Sequence, residues 1–301
     1  MTIVVALGGN ALIRPGDRGT TAEQSARLRE AAASLTPILE EPRLVITHGN
    51  GPQVGNELLR QERAADEVPP LPLYLAVAQT QAEIGALIEA ELGPLTGRPV
   101  ACLLTHVVVA EDDPAFDRPT KPVGPFYSRE QAQQLERERG WSLAEQQGRG
   151  WRRTVPSPIP LEVVELEQIR TLLDAGMVPI ACGGGGIPVV SRNGRFHGVD
   201  AVIDKDRASA LLAIGLGAER LLILTDVAAV RRRFGRPGEE ELRELSVDEA
   251  EALLPELAEG SIRPKLEAAI AVARAGGEAT ITALDRVEDA LAGNAGTRVS
   301  A

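Results

Sequence analysis

The sequence predicts an α/β fold: an open, mainly parallel sheet covered by helices on both faces, with a small lid inserted into it. Three observations carry the prediction. Short runs rich in Val, Ile and Leu alternate with stretches of helical periodicity. Three of those runs end in glycine-rich turns, Gly8-Gly9-Asn10, Gly49-Asn50-Gly51 and Gly183–Gly186. Aromatic residues make up only 3% of the chain, so its core must be aliphatic, as in strands buried on both faces.

The elements follow in order. Ile3–Leu7 reads as a buried strand broken by Gly8-Gly9-Asn10, and Thr20 or Thr21 can cap a helix over Ala22–Leu39. Leu44–Thr47 is a second strand, and Pro52 suits the first position of the helix after it. Leu71–Leu92 has the pattern of a long helix, and Pro99–Val109 that of one long strand. Ala110–Pro160 is polar and proline-rich, yet it holds Phe116, Phe126, Tyr127, Trp141 and Trp151. Five aromatics can pin a small subdomain that lacks an aliphatic core, so the segment reads as a projecting lid. Leu161–Ala175 is a helix, Val178–Cys182 a strand, and Asn193-Gly194 a type I′ hairpin turn. A helix follows Asp204-Lys205-Asp206, Leu221–Leu224 is a strand ending in Thr225-Asp226, and Pro264-Lys265 opens a helix through Arg274. Ala279–Ile281 is the last strand, and Val287–Leu291 a short helix.

At 301 residues the chain suffices for one large α/β domain or two modest ones. Its formal charge of −11 argues against nucleic acids and anionic membranes as partners. Any anionic ligand then needs a local positive pocket. Cys102 and Cys182 fall inside apolar runs and match no zinc spacing, and His48, His106 and His197 are too scattered for a metal cluster. No run of 18 apolar residues and no secretory leader is evident, which predicts a soluble cytoplasmic protein.

Lysine usage is sharper. Of 32 basic residues only Lys121, Lys205 and Lys265 are lysines. Where arginine serves nearly everywhere, these sites point to a need for a compact, rotatable ammonium, such as a point charge on a phosphoryl group. Lys205 lies between Asp204 and Asp206 at a helix start, and Lys265 lies at another. Both add positive charge where the helix dipole is already positive, which helps only beside an anion. Asp206 is placed to fix lysine side chains in a shared site. Lys121 sits in the lid, flanked by Pro119 and Pro122.

In open parallel sheets, ligands bind at the carboxyl ends of strands, where bare amides and helix N-termini point outward. Gly8, Gly9, Asn10, Gly49, Asn50, Gly51, Gly183 and Gly184 are the candidates for that cradle. No Gly-Lys-Ser/Thr follows the four glycines, so this is not a Walker A loop. Gly49–Gly55 approximates a dinucleotide fingerprint with its last glycine one residue late, which leaves a dehydrogenase as a distant alternative.

Gly8–Leu12 (GGNAL), His48–Gly55 (HGNGPQVG), Pro119–Phe126 (PTKPVGPF), Gly183–Val189 (GGGGIPV), Ala201–Ala210 (AVIDKDRASA) and Gly260–Ala268 (GSIRPKLEA) together resemble the carbamate kinases of the amino acid kinase family. The resemblance spans essentially the whole chain, and the PTKPVGPF insertion sets it apart from other members. It implies a three-layer αβα sandwich forming a single domain and a homodimer. It also implies reversible, Mg²⁺-dependent, in-line phosphoryl transfer between ATP and carbamate, giving ADP and carbamoyl phosphate. Residues 1–215, with a lid at 111–156, would bind carbamate, and residues 216–301 the nucleotide. Lys121, Lys205 and Lys265 would handle the phosphoryl group, with Asp206 organising them. Gly8, Gly9, Asn10, Gly49, Asn50 and Gly51 would cradle carbamate, and Thr225, Asp226 and Val227 would lie by the nucleotide together with Lys265. No protein residue is assigned to the metal. Arg263, Ile159 and Asp200 depart from the family's pattern. Two alternatives stay open: a non-catalytic sensor of nucleotide or carbamoyl phosphate, and a relative acting on a different acyl substrate. A carbamate oxygen is anionic at neutral pH and needs no general base, consistent with the lack of a His–carboxylate dyad in the sequence.

Overall fold

The computed structural model describes residues 1–14, 17–146, 148, 150–235, 237–257 and 262–301; the side chain of Asn10 lies outside that set, as does Gly260. Eight strands make the central sheet. From edge to edge they are Glu244–Ser246, Thr297–Ser300, Glu278–Ala283, Arg220–Thr225, Thr2–Leu7, Arg43–His48, Val178–Ile180 and Val100–Cys102. Thr297–Ser300 runs antiparallel to Glu278–Ala283, and the other neighbours are parallel. The α/β architecture with a mainly parallel sheet is therefore as the sequence predicts.

Successive residues of the central strand serve opposite faces, which is why Thr2–Leu7 is buried throughout. Val4 and Ala6 pack with Val45, Ile223, Leu212 and Leu266 on one side. Ile3, Val5 and Leu7 pack with Ile46, Leu28, Leu35, Ile84 and Ile88 on the other. The first face is thus covered by the helices Lys205–Leu216 and Ile262–Arg274, and the second by Thr21–Leu39 and Leu73–Thr96. Thr20 is the cap the sequence left open between two threonines. Its hydroxyl accepts from Glu23 N while the Glu23 carboxylate accepts from Thr20 N.

The expected single strand over Pro99–Val109 is divided. Val100–Cys102 completes the central sheet, whereas His106–Val109 joins a second, four-stranded sheet between Ile187–Arg192 and Pro160–Val163. At the break, Gln81 satisfies the backbone that leaves the ladder. Its amide donates to Thr105 O at 3.1 Å and its carbonyl accepts from Thr105 N at 2.9 Å. The helix expected over Leu161–Ala175 is likewise shorter. Pro160–Val163 is a strand paired antiparallel with His106–Val109, and the helix is Leu166–Asp174. The Asn193-Gly194 turn stands, both residues having positive φ. The helix Val247–Leu253, whose Ser246-x-x-Glu249 capping box was a legible signal, and the strand Thr297–Ser300 were not expected.

The lid is a subdomain of three antiparallel strands, in the order Lys121–Tyr127, Gly150–Val155, Ser142–Gln146, with the helix Arg129–Arg139. Of the five aromatics expected to pin it, Phe116 instead packs against the main core, whereas Trp141 holds lid groups together. The Trp141 ring lies under the guanidinium groups of Arg139 at 5.0 Å and Arg153 at 4.4 Å.

Candidate active site

The helix Lys205–Leu216 begins at the rim of the sheet, and its first turn assembles the site. Asp204 is the N-cap: its Oδ1 accepts from Asp206 N at 2.9 Å and Arg207 N at 3.4 Å. Its Oδ2 accepts from Lys121 Nζ of the lid at 2.8 Å. Asp206 is only 2% exposed, and its two oxygens take Lys205 Nζ and, at 2.9 Å, Lys265 Nζ. All three lysines of the chain thus converge on two adjacent carboxylates. Three ammonium groups against two carboxylates leave a net positive charge at a helix N-terminus.

The electrostatics follow from burial. Burial alone would raise the Asp204 carboxyl, but Lys121, with Lys205 and Lys265, outweighs it and holds the group well below the usual carboxylate range. Burial pushes the Lys205 ammonium down, Asp206 opposes that shift, and neighbouring Lys265 adds to it. A phosphate entering between them would restore the charge balance that the protein leaves incomplete.

The first two glycine turns lie beside this cluster, at the ends of adjacent strands where Leu7 pairs with His48. A Cβ on Gly8 would fall 2.5 Å from Leu224 O, so the turn hugs the neighbouring strand. A Cβ on Gly49 would lie 3.3 Å from Lys205 Cδ and 3.8 Å from Gly9 N. The lysine stem therefore runs over Gly49 toward Asp206. Gly9 and Gly51 have no such neighbours within 4 Å, which leaves their backbone approachable. Gly51 opens the helix Gly51–Ala64, so Pro52 is its second residue and not the first as expected, still within the turn where proline loses no hydrogen bond.

The four glycines behave differently. Gly183–Gly186 are buried, and the space a Cβ would need is filled by protein: His48 Nε2 at Gly183, Asn50 Nδ2 at Gly184, Ile203 O at Gly185 and Val107 Cγ2 at Gly186. What their missing side chains admit is the chain itself. Gly184 makes room for Asn50, whose amide donates to Thr80 Oγ1 at 2.9 Å. Gly183 and Gly184, expected in the ligand cradle, thus also make room for His48 and Asn50.

His48 was passed over in the sequence because it fits no metal cluster. It is fully buried, and its Nδ1 lies 3.0 Å from Gly49 O, an acceptor only, so the ring carries its proton on Nδ1. Nε2 is then a buried acceptor without a partner among the described residues. Burial, with Lys205 adding, pushes the imidazole down to about 4, so it is neutral. Its position at a strand end directly before Gly49 was the available clue.

Thr225 ends its strand and donates to Asp226 Oδ1 at 3.0 Å. Both line a cavity of about 500 Å³ that reaches Gly8 and Ala283; Val227, half-buried, follows them in the chain. A second cavity of about 600 Å³ is walled by Lys121, Asp204, Arg207 and Glu267. Arg207 and Arg263 share Glu267 there, at 2.6 and 3.1 Å. Among the described residues no group of three or more His, Cys, Asp or Glu is arranged to hold a metal ion. No helix among them is long and apolar enough to cross a membrane.

Residues 1–283 match the model of the amino acid kinase family. The chain is 44% identical to a carbamate kinase of Thermococcus kodakarensis over 99% of its length and 98% of that protein's. It is 45% identical to a carbamate kinase of Halobacterium salinarum, covering 98% and 97% of the two chains. Its structure superposes on Giardia lamblia carbamate kinase bound to AMP-PNP with a TM-score of 0.92, at 39% identity and with 99% and 98% of the chains covered. A match of that extent, over a rim where distant lysines meet, has one reading: the chain belongs to the amino acid kinase family.

Proposed function

We propose that the protein is a carbamate kinase, catalysing reversible phosphoryl transfer between ATP and carbamate to give ADP and carbamoyl phosphate. The observation that carries the reading is the convergence of Lys121, Lys205 and Lys265 on Asp204 and Asp206 beside the Gly9 and Gly49 turns. Phosphoryl transfer passes through a charge-dispersed transition state, so positioned positive charge supplies most of the catalysis. Carbamate already carries an anionic oxygen, so its attack requires no general base. In-line attack by that oxygen on the γ-phosphorus breaks the bond to the β–γ bridging oxygen, and the electron pair leaves with ADP.

In this reading the backbone at Gly8, Gly9, Asn10, Gly49 and Gly51 seats carbamate, with Asn50 beside it. The lysines hold the transferring group, and Thr225, Asp226 and Val227 border the nucleotide. The carbamate side is assigned to residues 1–215 and the nucleotide side to 216–301, within one domain. Relatives named carbamate kinase over the full length, one of them bound to a nucleotide analogue, support it.

Mg²⁺ is part of the proposal as a companion of the nucleotide. Asp204 and Asp206 are committed to lysines, so its oxygen ligands would come mainly from phosphate and water, the ordinary arrangement for this ion. A homodimer in the cytoplasm completes the reading. The test is a coupled assay of ATP formation from ADP with a panel of acyl phosphates. Carbamoyl phosphate should be the preferred donor. ATP formed better from another acyl phosphate would reassign the substrate, and no ATP from any of them would favour a sensor.

A further inference from the structure

A cavity of about 330 Å³ lies where the lid meets the body, lined by groups from both. Four of its lining residues are charged, and two are already committed. Glu62 accepts from Tyr127 Oη at 3.1 Å and pairs with Arg139 at 3.5 Å. The other two are not. Arg153, from the lid strand Gly150–Val155, stacks on the Trp141 ring at 4.4 Å. Among the described residues its guanidinium has neither a hydrogen-bond acceptor nor an ion-pair partner in contact; burial disfavours its charge, and the nearby Asp200 and Glu62 carboxylates offset that only in part. Asp200, from the body, accepts from Leu73 N at 2.8 Å through Oδ1, which leaves Oδ2 without a partner among the described residues.

A guanidinium presents a planar fork of donors suited to a carboxylate, and leaving it unmatched in a partly desolvated wall is unfavourable. A free carboxylate beside it would repel a simple anion but would accept an ammonium. The lining also includes apolar groups, among them the Trp141 ring and Leu71, the latter 41% exposed. The volume is at the small end for metabolite sites and too tight for a nucleotide.

We propose that this cavity binds a zwitterionic α-amino acid with an apolar side chain. Its carboxylate lies on Arg153, its ammonium on Asp200 and its side chain against Trp141 and Leu71. Such a ligand spans lid and body, so its occupancy would couple to lid position. The site is separate from the lysine cluster and stands whether or not the kinase reading holds.

The test uses the full chain and needs no phosphoryl transfer. L-leucine and L-phenylalanine are titrated by calorimetry and by Trp141 fluorescence in a Trp151→Phe background. The paired controls are 4-methylpentanoate, which lacks the ammonium, and 3-methylbutylamine, which lacks the carboxylate. Expected are saturable, millimolar-range binding of at least one amino acid and about tenfold or greater weakening with each control. Arg153→Met and Asp200→Asn should each weaken binding to the same degree. Arg153→Lys, which keeps the charge without the fork, gives the same reading should the methionine variant not fold. Failure of both amino acids to bind, binding of 4-methylpentanoate as tight as leucine, or undiminished binding by the folded Arg153 variants would each overturn the proposal.

Discussion

Lys265 Nζ donates to Asp206 Oδ2 at 2.9 Å across 59 residues of sequence, and Lys205 occupies the other oxygen of the same carboxylate. One buried aspartate therefore sets the spacing of two ammonium groups. Asp206→Asn keeps the shape but removes the charge that compensates Lys205. The expected result is a fall in kcat of about 100-fold or more. Stability should drop by about 3 kcal/mol, because breaking a buried pair leaves an uncompensated charge. Steady-state kinetics and denaturant melts read the two effects, and an unchanged kcat in a folded Asp206→Asn enzyme would remove the residue from the proposed machinery.

Gly184 tests whether the four glycines serve Asn50. An alanine there would place its Cβ 2.1 Å from Asn50 Nδ2 at a φ of +65°. Gly184→Ala should cost roughly 2–4 kcal/mol from strain and overpacking, and should raise the KM for carbamoyl phosphate by displacing Asn50. Gly97→Ala is the control. It has a similar φ of +62° with open space around it, so about 1 kcal/mol of backbone cost and an unaltered KM are expected. Equal effects of the two substitutions would contradict the packing account.

His48 predicts an acid limb of stability. Its pKa is about 4 in the fold against an ordinary value of 6.5, so below 6.5 the unfolded chain binds the extra proton. Its contribution is intact above pH 6.5, declines as pH falls and is gone near 4, a loss of about 3 kcal/mol. His106 acts in the opposite direction, in a His–carboxylate pair with Glu165 that the sequence did not reveal. Its pairing with Glu165 at 2.7 Å raises its pKa, so that contribution is present at low pH and lost as pH rises through the folded value. Unfolding free energies measured from pH 7 to 4 should show the fall, and His48→Asn should flatten it.

Both thiols should resist modification in the native state. Burial pushes Cys102 up to about 11 and Cys182 higher still, so thiolate is scarce at neutral pH. Cys102 Sγ also fills the space a Cβ on Gly85 would occupy. A disulfide reagent at pH 7.5 should label neither cysteine until denaturant is added. Rapid labelling with loss of activity would contradict this burial.

Much of the site was legible because its elements are locally encoded. Strand-end glycines, Pro52 and the aspartates around Lys205 are each interpretable within a few residues. The scarcity of lysine made the three that matter conspicuous. What escaped was decided by tertiary partners. Asp204 lies at a helix start and caps it, but its second oxygen holds Lys121 from 83 residues away. Gly183 and Gly184 announced a close approach without saying of what, since His48 and Asn50 reach them from another strand end. Pro99–Val109 reads as one apolar run, and side chains outside it, Gln81 on the preceding helix and Glu165, take the backbone N–H groups where it divides between two sheets.

The account turns on Lys205 as a phosphoryl contact, and the most direct measurement is the rate of ATP formation from ADP and carbamoyl phosphate by Lys205→Arg. Arginine keeps the charge but replaces a compact ammonium, whose stem lies along Gly49, with a broad fork. The predicted result is turnover reduced by about 100-fold or more in a protein with an unchanged circular dichroism spectrum and cooperative unfolding. A folded Lys205→Arg enzyme turning over at the wild-type rate would contradict it.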